Sequence, residues 1–146
     1  DYRGTGWDDM IGVVNKEIMN SSGFCLLGAI VCPPDCILKL TAAVTGFEYS
    51  PFESIALGQR MFNMRHAFNL REGLRRKDFE ISGRIVGNPP LKEGPNAGVT
   101  IDTEQLADNF YNALGWNVSD GVPKLETLQN IGGLEQVIKD LYPDIK

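Results

Sequence analysis

Met10, Ile11, Val14 and Ile18 recur at intervals of three and four, which predicts a first amphipathic helix over residues 8–19. The run Asn20-Ser21-Ser22-Gly23 breaks that pattern with residues that favour turns and caps. Residues 24–31 form a short apolar piece readable as a buried helix or as a strand. After the interruption at Cys32-Pro33-Pro34-Asp35, residues 36–44 read as a helix that Gly46 ends. The sharpest start signal follows. Ser50 is placed to cap a helix, Pro51 suits its first position, and Glu53 completes a capping box. From there Leu57, Met61, Met64 and Phe68 make a stripe widened by Ile55 and Phe62, and Gly73 is a natural stop. This is expected to be the longest helix, packed into the core along that stripe.

Residues 78–99 carry Gly83, Gly87, Pro89, Pro90, Gly94, Pro95 and Gly98, so they predict a long irregular strap of the kind that crosses a neighbouring domain. Order returns at Asp102, an N-cap with Gln105 three residues on. The helix it opens runs through Leu106, Phe110 and Leu114 to Gly115. Past the Asp120-Gly121 turn and Pro123, two short helices are expected over residues 124–130 and 133–141. The fold class is all-α: one multihelical domain, residues 1–146, with a Gly/Pro-rich strap.

Composition narrows the function. A formal net charge of −5 disfavours nucleic acid, which requires a dense Lys/Arg face. The short basic cluster Arg71, Arg75, Arg76 and Lys77 reads as the last turn of a helix, where cations oppose the macrodipole. No apolar run reaches the roughly 20 residues of a membrane helix, and no secretory signal is visible. The chain opens at Asp1 without Met, as expected of a processed chain or one cut from a longer polypeptide. Three cysteines, an odd number, argue against a disulfide scaffold and fit a reducing cytoplasm.

Candidate chemistry is sparse. The single histidine, His66, falls near the edge of the long helix's stripe, where a packing or partly exposed role competes with a catalytic one. Cys25, Cys32 and Cys36 lie within twelve residues. Thiolates that close can bind soft metal ions, yet the spacing matches no common zinc or cluster signature and offers no obvious fourth ligand. Buried, unreactive thiols are the alternative.

The ordered motifs resolve this further. Asn20-Ser21-Ser22-Gly23-Phe24-Cys25 resembles the Asp-x-x-Gly-Leu-Cys motif of tungsten-containing aldehyde:ferredoxin oxidoreductases. Downstream, Ala43-Val44-Thr45-Gly46, Gly58-Gln59-Arg60, Phe68-Asn69-Leu70-Arg71-Glu72-Gly73 and Arg75-Arg76-Lys77-Asp78 follow in the family's order. The tail Phe110-Tyr111-Asn112-Ala113-Leu114-Gly115-Trp116, Gly121-Val122-Pro123 and Leu128 is similar to the end of those enzymes.

The resemblance implies a C-terminal helical domain of an enzyme that oxidises aldehydes to carboxylic acids and passes electrons through an iron–sulfur cluster to ferredoxin. It implies that Cys25 is the last ligand of a 4Fe-4S cluster whose other three cysteines sit in an absent domain. By the same resemblance Asn20, Gly23 and Phe24 border a tungsten or molybdenum bis-pterin. Two positions depart from the motif: Asn20 stands where the family has an acid, and Phe24 where it has Leu. Cys32 and Cys36 acquire no role. The expected partners are the remaining domains and ferredoxin, with no cofactor held and no catalysis performed by this chain alone. A surface normally covered by those domains would favour self-association. Two other readings stay open: a stand-alone helical interaction domain without cofactor, which Asn20 favours, and a small metal binder using Cys25, Cys32 and Cys36.

Overall fold

A computed structural model describes residues 2–33 and 35–144. Its elements are α1 (Thr5–Ser21), α2 (Leu26–Ile30), α3 (Cys36–Thr45), α4 (Pro51–Arg71), a 3-10 turn (Arg76–Asp78), α5 (Thr103–Leu114), α6 (Leu125–Ile131) and α7 (Glu135–Leu141). The described residues form no strand; one isolated bridge joins Trp116 to Pro123. The all-α expectation holds. No helix among the described residues is long and apolar enough to cross a membrane.

Local chemistry explains most boundaries. Ser50 Oγ accepts from the Glu53 amide at 3.2 Å and Glu53 Oε2 accepts from the Ser50 amide at 2.8 Å, so both halves of the capping box form. Asp102 accepts from the Gln105 amide at 3.0 Å, and Gly115 ends α5 in the left-handed region. The segment at residues 26–30 is helical, which settles the helix-or-strand choice.

Helix α1 packs against both α4 and α5. Met10, Val14, Tyr111, Leu114 and Trp116 form the main core, with Ile55, Phe62 and Phe110 packed on it. A second core gathers Ala67, Leu128, Leu134 and Val137 where α4 meets α6 and α7. Both cores share α4, whose buried face differs from the expected stripe. Met64 and Phe68 are 54% and 55% exposed, while Ser54, Gly58, Asn63, His66, Ala67 and Leu70 are buried. Gly58 allows the α1 backbone to approach, and Asn63 and His66 find buried polar partners. That combination turns the helix away from its most apolar side.

A second close approach, against α5, accompanies the start of α1 at Thr5, earlier than expected. Gly6 meets the Asn109–Phe110 backbone of α5, leaving no room for a Cβ. Tertiary packing there outweighs the poor helix propensity of glycine.

The strap is as irregular as its composition predicts: from the 3-10 turn to Thr103 it holds no regular element, only scattered turn bonds such as Asn88 N–H to Gly83 O. Its root is fastened. Arg76 pairs with Glu104 at 2.7 Å and Asp108 at 2.6 Å, donates to Val118 O, and lies over the Tyr111 ring. The basic cluster therefore does two jobs. Arg71 sits in the last turn of α4 and Arg75 donates to the Leu70 carbonyl beyond it, while Arg76 leaves the helix to clamp α5.

Candidate cofactor-facing site

Helix α1 ends in a turn that sets the position of Cys25. The Phe24 amide donates to Met19 O and the Gly23 amide to Asn20 O, both at 3.2 Å, with Gly23 at φ +71°. This is a Schellman ending, and its left-handed residue is the glycine. Cys25 follows in extended conformation as the residue before α2, its carbonyl accepting from the Ala29 amide. Ser22 Oγ lies 3.4 Å from Thr41 Oγ1, which ties the turn to α3.

The Cys25 thiol is exposed. The amides of Gly28 and, less strongly, Leu27 hydrogen-bond its sulfur and lower its pKa below the ordinary thiol value, favouring thiolate, the form that ligates metals. Asn20 and Gly23 are exposed beside it, whereas Phe24 is half-buried.

Around the turn lies an uncovered apolar ridge. Helices α2 and α3 bury no residue. Leu26, Leu27, Ile30, Val31, Leu40 and Val44 all face outward, Val31 and Val44 by more than four-fifths. Large apolar side chains exposed in this number on two neighbouring elements of the sequence mark an interaction face.

Cys32 and Cys36 are half-buried, and the neighbouring Cys32 pushes the Cys36 thiol above its ordinary pKa. They do not join Cys25 in a metal cage: among the described residues no three His, Cys, Asp or Glu side chains are placed to hold an ion. The reading of the chain as a small metal binder using all three thiols is therefore corrected.

His66 is a packing residue. Its ring stacks on Trp116 at 3.8 Å and 9°, and Nε2–H donates to Gly121 O at 2.8 Å. Burial holds its pKa below the ordinary 6.5, outweighing the opposing effect of the Gly121 bond. The folded state thus favours neutral imidazole. The sign follows: stability from this site is complete above the unfolded pKa and declines as pH falls through it towards the lower folded value. Denaturant midpoints should drop between about pH 7.5 and about pH 5.5, and more steeply in wild type than in His66→Phe. Parallel slopes in the two proteins would exclude His66 as the source.

His66 and Trp116 also line a cavity of 1090 Å³ between α4, α5 and the root of the strap, together with Phe62, Phe110 and Tyr111. Behind this wall the fully buried Asn63 holds Trp116 in place, its Oδ1 accepting from Trp116 Nε1–H at 2.9 Å. The sequence reading missed Asn63 and the Arg76 clamp. A polar residue inside a helical stripe was the available signal for the first, and nothing local marked the second.

A family model described as aldehyde ferredoxin oxidoreductase, domains 2 and 3, matches residues 2–132. The chain belongs to the aldehyde ferredoxin oxidoreductase family. The tungsten-containing aldehyde ferredoxin oxidoreductase of Pyrococcus furiosus is 28% identical over 116 residues, covering 79% of this chain and 19% of that protein. The Pyrococcus abyssi enzyme of the same name is 26% identical over 121 residues, covering 83% and 20%. That of Thermococcus kodakarensis is 26% identical over 118 residues, covering 80% and 19%. The chain thus spans about a fifth of the length of the curated relatives it matches. Within the aldehyde ferredoxin oxidoreductase match lie the turn at Asn20–Cys25, the strap and the Trp116 wall.

Proposed function

We propose that this chain is the segment of an aldehyde ferredoxin oxidoreductase-type enzyme that closes over the cofactor and contributes one thiolate, Cys25, to a 4Fe-4S cluster. The observation that carries this reading is an exposed thiol with a lowered pKa, held on a Schellman turn inside the family's motif. The donor set fits one corner of a cluster and no more, so the other three thiolates belong to another domain. When bound, the cluster relays electrons between a tungsten or molybdenum bis-pterin and ferredoxin, as an aldehyde becomes a carboxylic acid.

What the chain itself does is position and enclose. The Leu27 and Gly28 amides already bonded to the sulfur would stay near a ligated thiolate and raise its potential, since donors to cluster sulfurs stabilise the reduced state. Asn20 and Gly23 border the cofactor side. The amide of Asn20 both donates and accepts, so it can meet a pterin heteroatom of either kind, though without a carboxylate's charge. The ridge of α2 and α3 packs on the remaining domains and keeps water from the site. Alone, the chain is inactive and that ridge draws copies together.

In the full-length enzyme, Cys25→Ser should lose most of its cluster iron and its ferredoxin-linked aldehyde oxidation while keeping its helical content. Iron analysis and the cluster's paramagnetic resonance signal are the measurements. Unchanged cluster iron would remove Cys25 from the ligand set.

A further inference from the structure

We infer that Glu17 and Arg65 are a positioning pair for Cys25. Their bond fixes the rotation of α1 about its own axis, and with it the direction in which the following turn presents the sulfur. The inference rests on the ligand role proposed for Cys25. Glu17 stands one turn before α1 ends at Ser21. Its side chain is only 6% exposed, and its Oε1 accepts from Arg65 Nη1, which reaches over from α4 on a side chain 65% exposed. A carboxylate this buried is costly unless paired, and an apolar side chain of the same size would fill the place without that cost. The pair therefore supplies direction rather than stability.

A helix packed at one point is free to turn. At Val14 and Gly58 the helices α1 and α4 come too close for a Cβ on the glycine, which sets their separation there. The Glu17–Arg65 bond lies about one turn farther along α1, towards Cys25, and it is directional. What it holds is the base of the Cys25 turn. Glu17, Ile18 and Met19 are successive buried residues, spaced about 100° apart around the helix. Ile18 O accepts from the Ser22 amide at 3.0 Å and from its hydroxyl at 2.8 Å, and Met19 O accepts from the Phe24 amide at 3.2 Å. Rotation of this stretch of α1 would carry both carbonyls with it, and through them Gly23, Phe24 and the sulfur. The paired charges cancel, so loss of the pair acts on a ligated cluster through position more than through its field.

The test uses the full-length enzyme with its cluster in place. Glu17→Leu combined with Arg65→Met keeps the bulk of both side chains and the net charge but removes the bond, and it should fold as wild type does. A ferrous chelator should then strip iron about tenfold faster, in line with the loss of an outer-shell partner at a metal site, and the cluster's paramagnetic resonance line shape should change. Arg65→Lys keeps a cation for Glu17 and should retain the wild-type resonance and rate of iron loss. Wild-type behaviour in the apolar double variant would overturn the inference, as would an Arg65→Lys enzyme equally labile. Should the double variant fail to assemble, Glu17→Gln decides, because it keeps the shape and leaves only a neutral hydrogen bond: a changed line shape supports the inference and a wild-type one refutes it. Cys25→Ser, measured alongside, separates the two levels. Full cluster iron in that variant removes the ligand role and the inference with it, whereas depleted iron there beside a wild-type double variant removes the positioning role alone.

Discussion

Trp116→Ala should leave the chain largely unfolded at room temperature, through a loss of about 5 kcal/mol. Trp116 is among the largest fully buried side chains, and its removal opens a void at the centre of the main core. The cavity and transfer cost of such a truncation is about 3–5 kcal/mol. The ring also stacks on His66 and on Phe62, the latter at 5.4 Å and 12°, contacts worth about 1 kcal/mol each beyond buried area. Finally, Asn63 Oδ1 loses its donor in a fully buried site, a further penalty of about 1–3 kcal/mol. These contributions overlap and do not simply add, yet together they approach the whole stability of an ordinary domain, about 5–15 kcal/mol. Denaturant unfolding followed by far-ultraviolet dichroism measures the loss. Trp116→Phe separates the components in part, because it keeps a stacked ring while removing the donor and part of the indole volume. It should cost less than half as much, and part of that should return in Trp116→Phe with Asn63→Leu. A midpoint for Trp116→Ala close to wild type would mean that this wall does not hold the core.

Gly58→Ala should destabilise by about 2–4 kcal/mol, although alanine is the better helix former by about 1 kcal/mol. A Cβ on Gly58 would stand 2.5 Å from Val14 O and 2.6 Å from Val14 Cγ1. Val14 is fully buried and its carbonyl is backbone, so relief requires α1 and α4 to separate along their crossing. Gly12 supplies the internal control. It lies within α1 with nothing near the position a Cβ would take, so Gly12→Ala should stabilise by up to about 1 kcal/mol. Opposite signs at two helical glycines, read by the same denaturant titration, are the expected pattern. Stabilisation at both positions would show that the helices can move apart at little cost.

Much of this architecture was written in local chemistry. The starts of α4 and α5 and the end of α5 follow from Ser50, Glu53, Asp102, Gln105 and Gly115, each acting within a few residues of itself. Such signals survive in a bare sequence. The orientation of α4 did not, because Met64 and Phe68 look like core residues and yet face outward, while Asn63 and His66 face inward to partners some fifty residues away. Periodicity reports how apolar a face is, not which neighbour will accept it. The Arg76 clamp was hidden for a similar reason, since its carboxylates arrive from α5 only after the strap has returned.

The candidate site divides the same way. The exposed turn at Cys25 was legible, because Asn20 to Gly23 halt α1 by themselves. The apolar character of residues 24–31 was plain from the start. That it remains outside the core is a fact of the fold alone.

The turn that ends α1 has a consequence for assembly. Its shape comes chiefly from backbone hydrogen bonds between residues 18 and 24 and from one glycine's left-handed conformation. The conformational entropy of placing the Cys25 sulfur is therefore lost when the helix folds, before any neighbour docks. Whatever binds that sulfur meets a preorganised donor, and docking is spared that ordering cost.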